Sequence, residues 1–314
     1  MLSRRSSARS RARWRSATLA GVLGALFALL LATPHTAAAS SPAAQETAAP
    51  AADPTPLGDA DPVPDEIGDI EEGEAFMGAG TLIHEGPAAE GQFIAPFDTS
   101  GVQGIDVSHW QGSINWGSVR GFGIQFAWMK ATEGTSFRDS SFNTNYPAAH
   151  AAGVIRGAYH FARPNVSSGA VQANYFASNG GAWSRDNLTL PGVLDIEANP
   201  YGASCYGLSQ TAMRNWITDF YNTYKARTTR DVVIYTSPGW WNSCTGSWNG
   251  MASRSPLWVA HWTTGSPTLP GGFGVWTAWQ YTSTGSVSGV SGNVDRNKFN
   301  GSRDRLLALA NNTA

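Results

Sequence analysis

Cysteine is scarce: the 314 residues hold only two, Cys205 and Cys244. No histidine stands at ligand spacing from either, which excludes a zinc site of the usual four-ligand kind. In an oxidising compartment two cysteines are most economically read as one disulfide. Closing a loop of about 40 residues would then stabilise the fold by roughly 4 kcal/mol on the chain-entropy account. Long apolar runs are also missing. The longest covers residues 17–32, short of the roughly 20 residues that a spanning helix needs. No glycine fingerprint of the dinucleotide-binding type follows the first strand. No basic cluster or recognised motif points to nucleic acid. Neither a cofactor nor a metal is expected.

Two stretches lack charge of one sign. Residues 1–39 contain no Asp or Glu, but six arginines precede the apolar run, and Ala37-Ala38-Ala39 offers a cleavage site before Ser40. That is the layout of a secretory signal, so the protein is expected to be extracellular, with no membrane association once the signal is removed. Residues 40–97 invert the bias, with 12 Asp or Glu and no Lys or Arg among many Ala and Pro. Such a segment buries too little apolar surface to offset its ordering entropy. A disordered linker or removable pro-segment is expected, and an acidic mask over a basic groove is the less favoured reading. Residues 98–314 carry 15 Lys and Arg against 11 Asp and Glu, a net charge of +4 that the whole-chain value of −2 conceals. A mildly cationic secreted domain is drawn to anionic cell walls, although ordinary surface charge accounts for it equally well.

From residue 98 on, short β-branched or aromatic runs alternate with connections of uneven length. Strands are expected over 103–107, 125–130, 155–160, 192–196, 231–236, 258–262 and 276–281, with a short last one near Val294 and Asp295. Helices fit between the early strands: one over 146–152, one capped by Ser167 and ending at 178, and one beginning at Ser209. In the last, Met213, Trp216, Ile217, Phe220, Tyr221 and Tyr224 form one apolar stripe. The connections after Trp262 and Tyr281 are too short and too rich in Gly, Ser, Thr and Pro for crossover helices. The expected fold is therefore α/β, an irregular TIM-like (β/α) barrel of eight strands with helices missing from its second half. A regular barrel needs nearer 250 residues.

The few acids of this region fall at strand ends: Asp106 at the first, Glu133 after the second, Asp195 and Glu197 at the fourth, Asp295 at the eighth. In such barrels catalytic groups gather at the C-terminal ends of the strands. Side chains alternate along a strand, so Val193, Asp195 and Glu197 share one face while Leu194 and Ile196 share the other. Salt-bridged networks account for many single acids of this kind. Several acids on one rim, with few bases to match, instead raise at least one pKa, as a general acid requires. Twelve of the 13 tryptophans lie after residue 98. Those at strand ends or in loops (Trp110, Trp183, Trp240, Trp241, Trp248 and Trp262) suit a groove for sugar rings, whereas Trp128, Trp216, Trp258 and Trp279 fit the core.

Four ordered motifs then carry a resemblance. Gly104-Ile105-Asp106-Val107-Ser108-His109-Trp110-Gln111-Gly112, Lys130-Ala131-Thr132-Glu133-Gly134, Gly157-Ala158-Tyr159-His160-Phe161 and Leu194-Asp195-Ile196-Glu197 resemble the glycoside hydrolase family 25 lysozymes. Nothing before residue 98 shares in it. The resemblance implies hydrolysis of the β-1,4 bond between N-acetylmuramic acid and N-acetylglucosamine in peptidoglycan, with tolerance of 6-O-acetylated muramic acid; a monomer is expected. It implies that Glu197 is the general acid/base, that Asp195 assists the reacting centre, and that Asp106 and Asp295 line the cleft. Tyr159 would contact substrate near the cleaved bond, with Lys130, Glu133, Trp110, Tyr235, Trp262 and Gln280 as further substrate contacts. Ala198 departs from the polar residue or histidine of many relatives and is expected to alter the cleft wall. Asp195 could attack the anomeric carbon, orient the substrate's acetamido group as nucleophile, or take part in inversion through water; the second is favoured. A chitinase-like enzyme and a non-catalytic wall-binding module are the competing classes.

Overall fold

The computed structural model describes residues 70–87 and 101–313. The expected signal at 1–39 and its cleavage site lie outside the described residues. Helix α1 (Ala79–Glu85) precedes the barrel. There follow β1 (Val102–Val107), a 3-10 turn (His109–Gln111), α2 (Trp116–Gly121), β2 (Ile124–Glu133), β3 (Phe137–Arg138), α3 (Phe142–Ala151), β4 (Ile155–Phe161), α4 (Gly169–Ser178) and β5 (Val193–Asp195). Then come α5 (Gln210–Thr228), β6 (Val233–Thr236), α6 (Pro238–Thr245), β7 (Leu257–Ala260), β8 (Ala278–Gly285), β9 (Val294–Phe299) and α7 (Arg303–Asn311).

The strands run β1-β9-β8-β7-β6-β5-β4-β2, and β1 pairs with β2 to close an eight-stranded barrel, with β3 attached as a short hairpin arm on β2. From β1 to β8 neighbouring barrel strands are parallel, but β9 is antiparallel to both β8 and β1. The connection between β8 and β9 is too short for a parallel crossover, so the chain must turn back on itself. Among the described residues no helix lies between β7 and β8 or between β8 and β9, as the composition of those connections requires. The last strand spans six residues instead of the expected pair, because it has a hydrogen-bonded neighbour on each side.

Helix starts follow local chemistry. Ser209 accepts from Ala212 N at the head of α5, and Ser168, one residue later than expected, accepts from Val171 N at α4. The whole apolar stripe of α5 is buried. The barrel wall separates an inner apolar cluster from outer ones, the larger of which lies under α4, α5 and α6. Inside lie Phe126, Trp128, Tyr159, Val193, Val233, Tyr235 and Trp258; outside, Leu194, Ile196 and Ile234 pack under α4, α5 and α6. The alternation along β5 is as its period of two demands. Trp128 and Trp258 stack in the interior with ring centroids 4.4 Å apart. Cys205 and Cys244 form the disulfide, with a Cα–Cα distance of 5.4 Å, and tie the loop before α5 to α6.

Within the expected acidic linker or pro-segment at 40–97, residues 70–87 are described and carry α1, while 40–69 and 88–97 lie outside the described residues. Ala75, Met77 and Ala79 are at most 1% exposed, buried against the barrel. The segment has few apolar residues, yet they suffice because the barrel supplies the complementary surface.

Candidate active site

Asp106 ends up opposite Asp295 because β9 runs antiparallel to β1: the start of one strand meets the end of the other, and the two residues are direct partners across the ladder. Their carboxyls share a hydrogen bond. Gln280 Nε2 donates to both oxygens of Asp106 at 3.3 and 3.1 Å, and Asn297 Nδ2 donates to Oδ2 at 2.7 Å. Gln280 is itself oriented by Tyr235 OH at 2.8 Å and Trp262 Nε1 at 3.0 Å, both donating to its Oε1. Burial pushes Asp106 up to about 7, against the pull of Asn297 and Gln280. Asp295 is raised further, by burial and then by the charge of Asp106. Two adjacent buried carboxyls share a proton. The donors gather on Asp106, so the proton resides on Asp295.

Asp195 and Glu197 stand on the neighbouring arc of the rim. Asp195 is fully buried, and neither of its oxygens accepts a hydrogen bond from any described residue. Burial and the charge of Glu197 raise its pKa well above the usual range, with Lys130 opposing. Glu197 is 1% exposed and is pushed up to about 8 by burial, although three donors pull it down. Those donors come from the segment before the barrel: Gly78 N to Oε1 at 2.8 Å, Thr81 Oγ1 to Oε2 at 2.9 Å and Thr81 N to Oε2 at 3.3 Å. Tyr159 and Tyr235 are buried among these carboxyls; burial first and the surrounding carboxylates second raise both phenols, which therefore stay protonated donors.

A third group lies at the end of β2. Lys130 Nζ pairs with Glu133 Oε2 at 2.7 Å and donates to the carbonyls of Gly73, at 2.8 Å, and Ala75. Tyr201 OH donates to Glu133 Oε1 at 2.6 Å. Trp110 Nε1 donates to Glu74 O at 2.8 Å. The fold thus brings all the expected site residues to one end of the barrel, in three adjoining groups. Among the described residues no cluster of His, Cys, Asp and Glu could hold a metal ion.

The wider tryptophan expectation is corrected. Trp240 and Trp241 lie in α6 and are buried in the outer cluster, with Trp248 packed on it. Trp183 sits under Arg230 and donates to Thr189 O and Ala310 O. Of the six loop tryptophans, Trp110 and Trp262 remain in the cleft. Ala198 also differs from expectation: its methyl joins the outer cluster, so the cleft wall there is its carbonyl. Tyr201 and Asn297 are site residues that the sequence reading missed. Extending the period of two from Asp295 would have found Asn297; Tyr201 lies in a loop with no periodicity to reveal it.

Buried carboxyls with raised pKa values around the mouth of a β/α barrel do the chemistry of glycoside hydrolysis, and that is the class this fold and site define. More particularly, the chain belongs to the glycosyl hydrolases family 25, whose model matches residues 105–290. It is 69% identical over 248 residues to Lysozyme M1 of Streptomyces globisporus, covering 78% of this chain and 84% of that protein. It is 42% identical over 213 residues to the N,O-diacetylmuramidase of Chalaropsis sp, covering 67% of this chain and 99% of that one. The crystal structure of the bacterial lysozyme from Streptomyces coelicolor superposes with a TM-score of 0.68 at 73% identity, covering 69% of this chain and all of that one.

Proposed function

We propose that this chain is a secreted, monomeric muramidase that hydrolyses the β-1,4 bond between N-acetylmuramic acid and N-acetylglucosamine in bacterial peptidoglycan, 6-O-acetylated muramic acid included. The names of the relatives, lysozyme and N,O-diacetylmuramidase, support the substrate. Among the described residues no helix is long and apolar enough to cross a membrane. The observation that carries the mechanism is Asp195: a buried carboxyl without a hydrogen-bond donor, two residues from an acid held near pKa 8.

Glu197, as the protonated acid, gives its proton to the glycosidic oxygen as the bond from C1 breaks. The acetamido carbonyl oxygen attacks C1 and closes an oxazolinium ring, while Asp195 accepts the acetamido N–H and holds that group in line. Water, losing its proton to Glu197, then opens the ring and yields the hemiacetal with retained configuration. Asp106 and its proton-sharing partner Asp295 sustain a negative field beside the developing oxocarbenium charge. NMR of the product anomer during the first turnovers of purified walls tests this: the β-anomer first is expected, and the α-anomer first would sink the retaining route. Reducing ends released from chitin but not from peptidoglycan would replace the substrate.

A further inference from the structure

The segment ahead of the barrel occupies the cleft. Met77 is buried in the barrel interior with Tyr159, Tyr235 and Trp258, while Ala75, Phe76 and Ala79 pack on Phe161. Both oxygens of Glu197 are taken by Gly78 and Thr81. Lys130 is committed to the carbonyls of Gly73 and Ala75, and Glu133 accepts from Gly73 N at 3.2 Å. The approach is close. A Cβ at Gly78 would lie 2.9 Å from the Trp262 ring, and one at Gly80 would lie 1.6 Å from the carbonyl oxygen of Ala198. Both flanks are fastened by polar contacts: Glu72 to Arg163 at 2.7 Å, Glu74 to His109 at 2.7 Å and Ser237 Oγ to Glu85 at 2.6 Å. The two cavities beside the segment, one by Trp262 and Pro238 and the other by Glu133 and Arg163, are what remains of the cleft on either side.

We infer that residues 70–87 are a built-in inhibitor that fills the glycan cleft, so that the chain is latent until this segment leaves. The inference rests on the muramidase reading of the cleft. Every candidate substrate contact except Gln280 touches or packs around the segment, and the acid that must reach the glycosidic oxygen is already hydrogen-bonded at both oxygens. An incidental tail would not need glycine where its backbone meets Ala198. The similarity to the S. globisporus lysozyme extends over 248 residues, more than residues 98–314 can hold, so it runs into this segment. The S. coelicolor lysozyme structure, by contrast, is matched in full by 69% of the chain.

The test uses the full chain and three variants outside the barrel. Gly80→Val places a side chain where only hydrogen fits, and Met77→Asp adds a carboxylate among carboxyls. Ile83→Ser, at an exposed position, is the control. Binding of a soluble peptidoglycan tetrasaccharide and clearing of purified cell walls are measured together, with circular dichroism and amide exchange of residues 70–87 reporting folding and docking. The parent chain and Ile83→Ser are expected to bind and clear weakly. Gly80→Val and Met77→Asp should gain at least tenfold in both, and a synthetic peptide of residues 70–87 should reverse the gain. Equal binding by the parent and both variants, strong or weak, overturns the inference. Gain of binding without clearing upholds the inhibitor and removes the muramidase assignment.

Discussion

Asp195 and Glu197 are two residues apart, yet the fold gives them opposite surroundings. Glu197 is met by three donors and Asp195 by none. Glu197→Gln keeps the shape and removes the proton, so wall clearing should fall by roughly 10²–10⁴ fold, with circular dichroism and wall binding unchanged. Near-normal clearing would mean that another group is the acid. Asp195→Asn should cost a similar order, because the amide puts an NH2 donor where one of the two acceptor oxygens faces the acetamido N–H and so weakens the hold on that group. Asp106→Asn should cost less, since Asp106 acts through its field, and a loss equal to that of Glu197→Gln would place it at the reacting centre. These comparisons belong to protein freed of residues 70–87, in which the cleft is open.

At the scale of elements, the barrel wall is braced from outside by α4 and α5, where Phe220 stacks between His160 and Tyr224 and Phe176 lies tilted against His160. Burial lowers the pKa of His160 to about 4, so it serves there as a neutral ring bonded to Thr132 and Gln172. The disulfide joins the loop before α5 to α6, across 39 residues of sequence. Replacing both cysteines, Cys205→Ser with Cys244→Ser, releases that loop in the unfolded chain and should lower unfolding free energy by up to about 4 kcal/mol. Clearing at 25 °C should persist, because neither sulfur touches the cleft carboxyls. Denaturant unfolding checks the first statement, and a loss of activity in folded protein would contradict the second.

For the whole molecule, the buried carboxyls set a pH dependence. Asp106 and Glu197 are raised to about 7 and about 8, and Asp195 and Asp295 are raised as well, mainly by burial. A carboxyl whose pKa is higher folded than unfolded binds more protons in the folded state. Its contribution is fully present below the unfolded value near 4 and is lost as pH rises through 7–8. The melting temperature should therefore fall between about pH 5 and 8, and Asp106→Asn should flatten that fall. A melting temperature that rises with pH over this window would refute the protonated cluster.

Fold class, the placing of the acids at strand ends and the inner face of β5 were all legible in the sequence, because they follow from local periodicity and from where strands stop. The α5 stripe and its Ser209 cap were legible for the same reason. Tertiary structure decided the rest. Trp240 and Trp241 could be read as groove residues until α6 turned them into the core. The Asp106–Asp295 pair needed the antiparallel return of β9, a consequence of sheet closure. Order in residues 70–87 was invisible because composition describes what a segment can bury within itself; here the apolar surface it covers, and the carboxylate and lysine it satisfies, belong to a barrel formed by residues far along the chain.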